Sequence, residues 1–300
     1  MALYQLIFSP TGGTAACAAA LADAWEGPWQ TVDLTDREDS RSGLAFGPED
    51  LVLAAVPVYA GRVPASAAER IARLRGNGAA AVAVAVYGNR AFEDALLELE
   101  DVLLAAGFRC PAGVAALAEH SIVRQVAAGR PDSEDRMQLR EFGKRIRRRL
   151  EKGADRPAQV PGSRPYRPYG GIPMRPAAGE GCSGCGLCSE KCPVGAIPAE
   201  APETVDETRC ISCMRCVAVC PTSARRLDPA ALAAVEKKLK AAWGTRGENQ
   251  LFLCGLPDAA FSQKLPLDKR GSKVVLSQIV EKGLEKDTAR ERQQRGAAGG

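Results

Sequence analysis

Along the first 150 residues, short apolar runs alternate with stretches whose apolar positions recur every three or four residues. Leu3 to Phe8, Thr31 to Leu34, Asp50 to Val58, Ala79 to Tyr87 and Phe108 to Leu117 read as strands, the last broken by Pro111. Helices are predicted from about Thr14 to Trp25, Pro64 to Leu74, Ala91 to Ala106 and Ser133 to Leu150. Pro64 suits a first helical turn, where its missing N–H has no partner to lose. Phe92, Leu96, Leu99 and Leu103 share one face of the third helix, and Gly107 stands where a C-terminal cap belongs. Near-continuous apolar strands separated by helices imply an α/β fold, a doubly wound parallel sheet of five strands covered on both faces.

The pattern stops near residue 150. Residues 151–180 hold six of the 20 prolines, interleaved with Gly, Arg and Tyr, and are expected to run extended over a surface as a linker. Tyr166 and Tyr169 are candidates for pinning it down. Residues 181–228 contain a repeat: a shift of 28 positions carries Cys182, Cys185, Cys188 and Cys192 onto Cys210, Cys213, Cys216 and Cys220, Pro193 onto Pro221 and Ala196 onto Ala224. Residues 229–254 read as a helix capped by Asp228 and ended by Gly244, then a short strand from Gln250 to Leu253. Residues 255–300 are polar and charged, a tail expected to be partly disordered.

The net charge of +4 gives no case for nucleic acid or membrane binding. Lys144 to Arg149 is a basic run, but near a helix C-terminus cations suit the macrodipole. No apolar run approaches the roughly 20 residues that span a bilayer, and the N-terminus has no signal-peptide pattern. A cytoplasmic protein is the expectation. Cysteine is the outlier: eight of 11 fall between 182 and 220, which in a reducing compartment points to metal. Cys17, Cys110 and Cys254 stand apart and read as small buried apolar residues.

A cysteine repeat of C-x2-C-x2-C-x3-C-P wraps three thiolates round one tight loop and sends the fourth elsewhere. Zinc knuckles use two ligands per loop, which leaves the third cysteine and the Cys-Pro of both repeats unexplained. The spacing resembles that of bacterial two-cluster ferredoxins, in which the fourth cysteine ligates the other cluster. The resemblance implies two [4Fe–4S] clusters in a small α+β domain. One takes Cys182, Cys185, Cys188 and Cys220; the other takes Cys210, Cys213, Cys216 and Cys192. Ser183, Gly184, Gly186 and Ser212 are small enough for close backbone approach to the inorganic core.

Ser9-Pro10-Thr11-Gly12-Gly13-Thr14 lies between the first strand and the first helix. It has neither a Walker lysine nor a dinucleotide fingerprint, but hydroxyls, glycines and a helix N-terminus suit a phosphate monoester. An ordinary capped turn is the plainer alternative. The loop resembles the phosphate-binding loop of flavodoxins. Pro57, Val58, Tyr59, Ala60 and Gly61 follow the third strand, and Tyr87, Gly88 and Asn89 follow the fourth, where flavodoxins contact the isoalloxazine ring. The resemblance implies FMN bound at the carboxyl ends of the strands. The order of parts resembles a bacterial and archaeal fusion family with a flavodoxin-like domain before a two-cluster ferredoxin.

Such a chain is expected to couple two-electron flavin chemistry to one-electron cluster transfer, with a redox partner protein or a small-molecule donor or acceptor. Two alternatives stand beside it: an oxidoreductase reducing a quinone-like molecule at the flavin, or a ferredoxin whose flavodoxin domain is only a docking surface. His120, the only histidine, follows the fifth strand and is a candidate proton carrier, although a lone histidine is more often structural. Arg62 facing the flavin would favour the oxidoreductase.

Overall fold

The computed structural model describes residues 1–37 and 43–255. Leu3–Ile7 (β1), Trp29–Asp33 (β2), Leu51–Pro57 (β3), Ala80–Tyr87 (β4) and Arg109–Leu117 (β5) form the parallel sheet that the apolar runs predict. The strand order β2-β1-β3-β4-β5 is that of a flavodoxin-like doubly wound sheet. Its two apolar faces need separate cover. Gly13–Ala22 (α1) and Ser133–Glu151 (α4) lie on one, Ala65–Ala72 (α2) and Ala95–Ala105 (α3) on the other.

The expected count of five strands falls short by one. Gln250–Leu253 (β8) pairs antiparallel with β5 and extends the sheet to six. Nothing in a four-residue strand states its partner, so its place is set by tertiary contacts. Asn249 accepts from the Leu117 amide at 2.8 Å and donates to Asp135 and Gln138. Arg130 and Asp135, both buried, form the ion pair beneath it.

Pro111 does not interrupt β5. The strand runs through it, and an irregularity in the register against β4 between Ala80 and Val82 absorbs the missing donor. The third helix starts later than predicted, because Glu93 takes a positive φ of 46° and Asp94 becomes the N-cap. The Asp94 carboxylate caps no helical amide. It accepts instead from Ser163 and Arg167, fixing the proline-rich segment. Tyr166 adds a hydrogen bond to Asp101 and a stacked Arg62, 5.0 Å above its ring, whereas Tyr169 is exposed. The segment is not wholly irregular: Ala177–Ala178 (β6) pairs with Arg225–Arg226 (β7).

Leu187–Glu190 (α5) and Arg215–Ala218 (α6) are single turns following the cysteine loops, and Pro229–Trp243 (α7) is capped by Asp228 as expected. The polar tail predicted over 255–300 lies, beyond Gly255, outside the described residues. Cys17, Cys110 and Cys254 are buried. Burial pushes the Cys17 thiol up to about 12, and the Cys110 thiol higher still.

Candidate functional site

Residues that follow the carboxyl ends of β1, β3, β4 and β5 line one cavity, and the cysteine loops border two smaller ones. The largest, about 390 Å³, has a volume ordinary for a cofactor site. Of the residues predicted to hold FMN, Pro10, Thr11, Gly13, Thr14, Pro57, Val58, Tyr59, Ala60, Tyr87 and Gly88 line it. Gly12, at φ 91°, turns the chain into α1, so the helix N-terminus meets the cavity wall. Ser9 lies behind the wall and accepts from the Ala15 amide. Ala60 and Gly61, both at positive φ, make the tight turn that brings Tyr59 opposite Arg62. Gly61 itself lies outside the wall, pressed against Glu93 and Arg167.

Two predicted contacts have other partners. Asn89 is outside the wall, and its side chain clamps the turn after α7. It donates to the carbonyls of Trp243 and Thr245 at 2.7 Å and accepts from Gly247 at 2.9 Å. The Tyr87 hydroxyl donates to the Glu248 carbonyl, and its ring packs on Phe92. Arg62 is bound to Glu98 and to the Arg167 carbonyl. His120 does line the cavity. Its Nδ1 accepts from the amides of Ile122 and Val123 at 3.2 and 3.1 Å. Burial, with Arg90 adding to it, lowers its pKa, so the ring is neutral with its proton on Nε2.

Sequence reasoning missed the roof. Ile172, Pro173 and Met174 of the proline-rich segment cover the cavity together with Val235 and Leu239 of α7. Val235 and Leu239 lie at i and i+4 on one helical face, and that spacing is the signal that could have found them. Ile172, Met174, Val235 and Leu239 pack with Ile122, Val123, Val126 and Met214, an apolar cluster shared between the sheet's loops and the cysteine region.

The two smaller cavities are lined by cysteines in the crossed pattern. Cys182, Cys185, Cys188 and Cys220 border one; Cys192, Cys210, Cys213 and Cys216 border the other. Among the described residues, no three His, Cys, Asp or Glu side chains are grouped to hold a metal ion. A tetrahedral zinc, with Zn–S bonds of about 2.3 Å, needs its sulfurs gathered round one point. Sulfurs set round a cavity fit a multi-atom cluster instead. The backbone repeats with the cysteines: Gly184 and Ser212 take φ of 66° and 53°, Gly186 and Met214 take 74° and 61°. A left-handed side chain costs about 1 kcal/mol or more, and packing offsets it here. Met214 is buried in the shared apolar cluster, and Ser212 donates to the Ile172 carbonyl at 2.8 Å.

Amides aim at the sulfurs. Ala196 donates to Cys192 Sγ at 3.2 Å, and the amides of Arg225, Thr222 and Ala224 with the Thr222 hydroxyl bring the Cys220 thiol down to about 7. Burial drives the Cys213 thiol well up and the Cys216 thiol up to about 12, a cost that a bound metal centre removes by holding the thiolate. Cys182 and Cys185 are exposed, whereas Cys192 and Cys213 are buried. The Cys210 site is therefore inner and the Cys182 site outer. Arg215, between two inner-site cysteines, donates to the Pro10 carbonyl at 3.1 Å.

Residues 181–224 match the family model of the 4Fe-4S dicluster domain. Over 48 residues the chain is 44% identical to one subunit of an ion-translocating oxidoreductase complex of Methanosarcina acetivorans, covering 16% of this chain and 18% of that protein. The chain thus spans less than a fifth of the length of the curated relative it matches. Among solved structures, a flavodoxin of Streptococcus pneumonia TIGR4 is similar at a TM-score of 0.35 and 21% identity, over 49% of this chain and 99% of that one. An apo NADH:FMN oxidoreductase is similar at a TM-score of 0.37 and 19% identity, over 52% of this chain and 94% of that one. The strand order, rather than these superpositions, makes the sheet flavodoxin-like. The chain joins a flavodoxin-like α/β sheet to a 4Fe–4S domain. Its iron–sulfur part is residues 181–224.

Proposed function

We propose that this chain is an iron–sulfur flavoprotein coupling FMN, held by residues 1–150, to two [4Fe–4S] clusters held by residues 181–228. When bound, FMN supplies two-electron chemistry and each cluster one-electron chemistry. The observation that carries the reading is that the largest cavity and the inner cysteine site are neighbours, since Arg215, which lines the site, donates to the carbonyl of Pro10, which lines the cavity. Tyr59 lines the cavity, is 6% exposed and lies close enough to Cys213 for that thiol's charge to raise the tyrosine's own pKa, after burial. Arg215 joins the same two regions through Pro10.

The chain's residues divide the work by position. Thr11, Gly13 and Thr14 would hold the phosphate at the start of α1, and Pro57 to Ala60 with Tyr87 and Gly88 the ring. The roof from Ile172 to Met174 with Val235 and Leu239 would keep water from the flavin. Cys192, Cys210, Cys213 and Cys216 would hold the inner cluster, and Cys182, Cys185, Cys188 and Cys220 the outer one. The exposed loop at Cys182 to Cys185 is the face for a redox partner protein. The roof, the capture of Arg62 by Glu98 and the capped Nδ1 of His120 favour a carrier over an enzyme that reduces a quinone-like molecule at the flavin.

Anaerobic purification, an absorbance spectrum, flavin extraction and an iron assay test this reading. About one FMN and about eight irons per chain are expected from two four-iron clusters. Protein that never binds added FMN would remove both flavin readings and leave a ferredoxin with a docking domain.

A further inference from the structure

The wall of the large cavity carries charge that the proposed cofactor contacts leave unused. Of the residues lining it, Arg90, Arg167 and Glu119 are the charged ones. The other titratable side chains there are uncharged at neutral pH: burial lowers the pKa of His120, raises that of Tyr87 to about 12 and takes that of Tyr59 well up. Glu119 accepts from Arg124 and from the Gly129 amide, so its charge is answered locally. The two cations share one partner. Glu93 accepts from Arg90 at 3.1 and 2.7 Å and also pairs with Arg167. One carboxylate between two guanidiniums leaves a positive excess at the wall.

Arg90 is also fixed in place. Asn89, just before it, is bonded to the carbonyls of Trp243 and Thr245, and the Arg90 guanidinium stands 5.9 Å from the centre of the Trp243 ring. Its charge is felt inside the cavity, where it adds to burial in keeping His120 neutral. A cation already held in position needs no rearrangement when negative charge develops beside it.

We infer that Arg90 tunes the flavin, holding the reduced ring as an anion and so raising its reduction potential. FMN that takes up two electrons, from dithionite or from the inner cluster, and one proton from water gains one negative charge. With two protons it gains none. A fixed cation in the wall favours the first outcome and draws electrons toward the flavin. This rests on the FMN reading above.

A spectroelectrochemical titration of the full-length anaerobic protein loaded with FMN, at neutral pH, tests it. Arg90→Gln, which keeps donors and drops the charge, should lower the two-electron flavin midpoint by at least a tenfold change in the equilibrium, about 30 mV. Arg90→Lys should restore most of it. Glu119→Gln removes the one carboxylate of the wall and should move the midpoint upward. A merely structural disturbance does not give opposite signs for the two substitutions, and the Glu119→Gln measurement stands even where Arg90→Gln does not fold. An unchanged midpoint in Arg90→Gln, equal midpoints for its Gln and Lys variants, or no rise in Glu119→Gln would overturn the inference. Wild-type protein that takes up no FMN fails the flavin reading instead.

Discussion

Arg215 donates from Nη1 to the carbonyl of Pro10, 205 residues earlier in the chain. The contact ties a residue between two inner-site cysteines to the loop that opens α1. Pro10 lines the large cavity and Arg215 the inner cysteine cavity, so the two sites are neighbours through a single hydrogen bond.

Removing that bond should be felt on the flavin side. Arg215→Ala is expected to weaken FMN binding roughly tenfold, about 1.4 kcal/mol, with iron content unchanged. Quenching of flavin fluorescence on titration into apo-flavin protein measures it. An unchanged dissociation constant would mean that the two loops merely touch.

The crossed ligation makes a positional prediction. Cys192→Ala should cost the cluster of Cys210, Cys213 and Cys216, and Cys220→Ala that of Cys182, Cys185 and Cys188. Each variant should retain about four irons of about eight. Separate spectra for the two variants would show which cluster each keeps, and identical residual spectra would refute the crossing.

His120 should act on stability rather than on proton transfer. Its folded pKa is below the unfolded value of about 6.5, so the unfolded chain binds the extra proton first. The contribution is therefore full above about pH 6.5 and is lost as pH falls toward the folded pKa. His120→Gln should flatten the decline in melting temperature between about pH 7 and 5.5 and leave the pH profile of flavin reduction unchanged. A variant whose reduction rate loses its pH dependence would return the residue to the chemistry.

Asn89 carries a different load from the one its position suggests. Asn89→Ala removes three hydrogen bonds to the turn after α7 and is expected to cost about 3 kcal/mol, near 1 kcal/mol for each bond. Chemical denaturation reads the loss. FMN affinity should move less than twofold or so, well below the tenfold expected for Arg215→Ala.

Much of this was legible in the chain. The apolar runs mark β1, β3, β4 and β5, because buried strands need little but hydrophobic residues, whereas the exposed edge strand β2 runs from Trp29 to Asp33 against the Thr31 to Leu34 predicted. The cysteine spacing marks both cavities, because tight loops hold their ligands locally. Long-range choices were not legible. Pairing of β8 with β5 depends on Asn249 meeting Asp135 and Gln138, which no local pattern announces. Asn89 and Arg62 stand in loops that suit a cofactor, yet their polar atoms are taken by Gly247 and Glu98 from elsewhere. The roof was missed because proline-rich sequence reads as spacer, whereas Met174 and Ile172 fold it back over the site.

The return of β8 to the sheet changes what kind of joint links the two halves. The cysteine region leaves the sheet after α4 and comes back to it at Gln250, so it is threaded through the α/β fold as an insert. A tether at one end permits a swing; an insert held at both ends does not. Cutting the chain after residue 150 would take β8 from the sheet and leave β5 as its edge. The spacing between the two halves is written into the order of the strands.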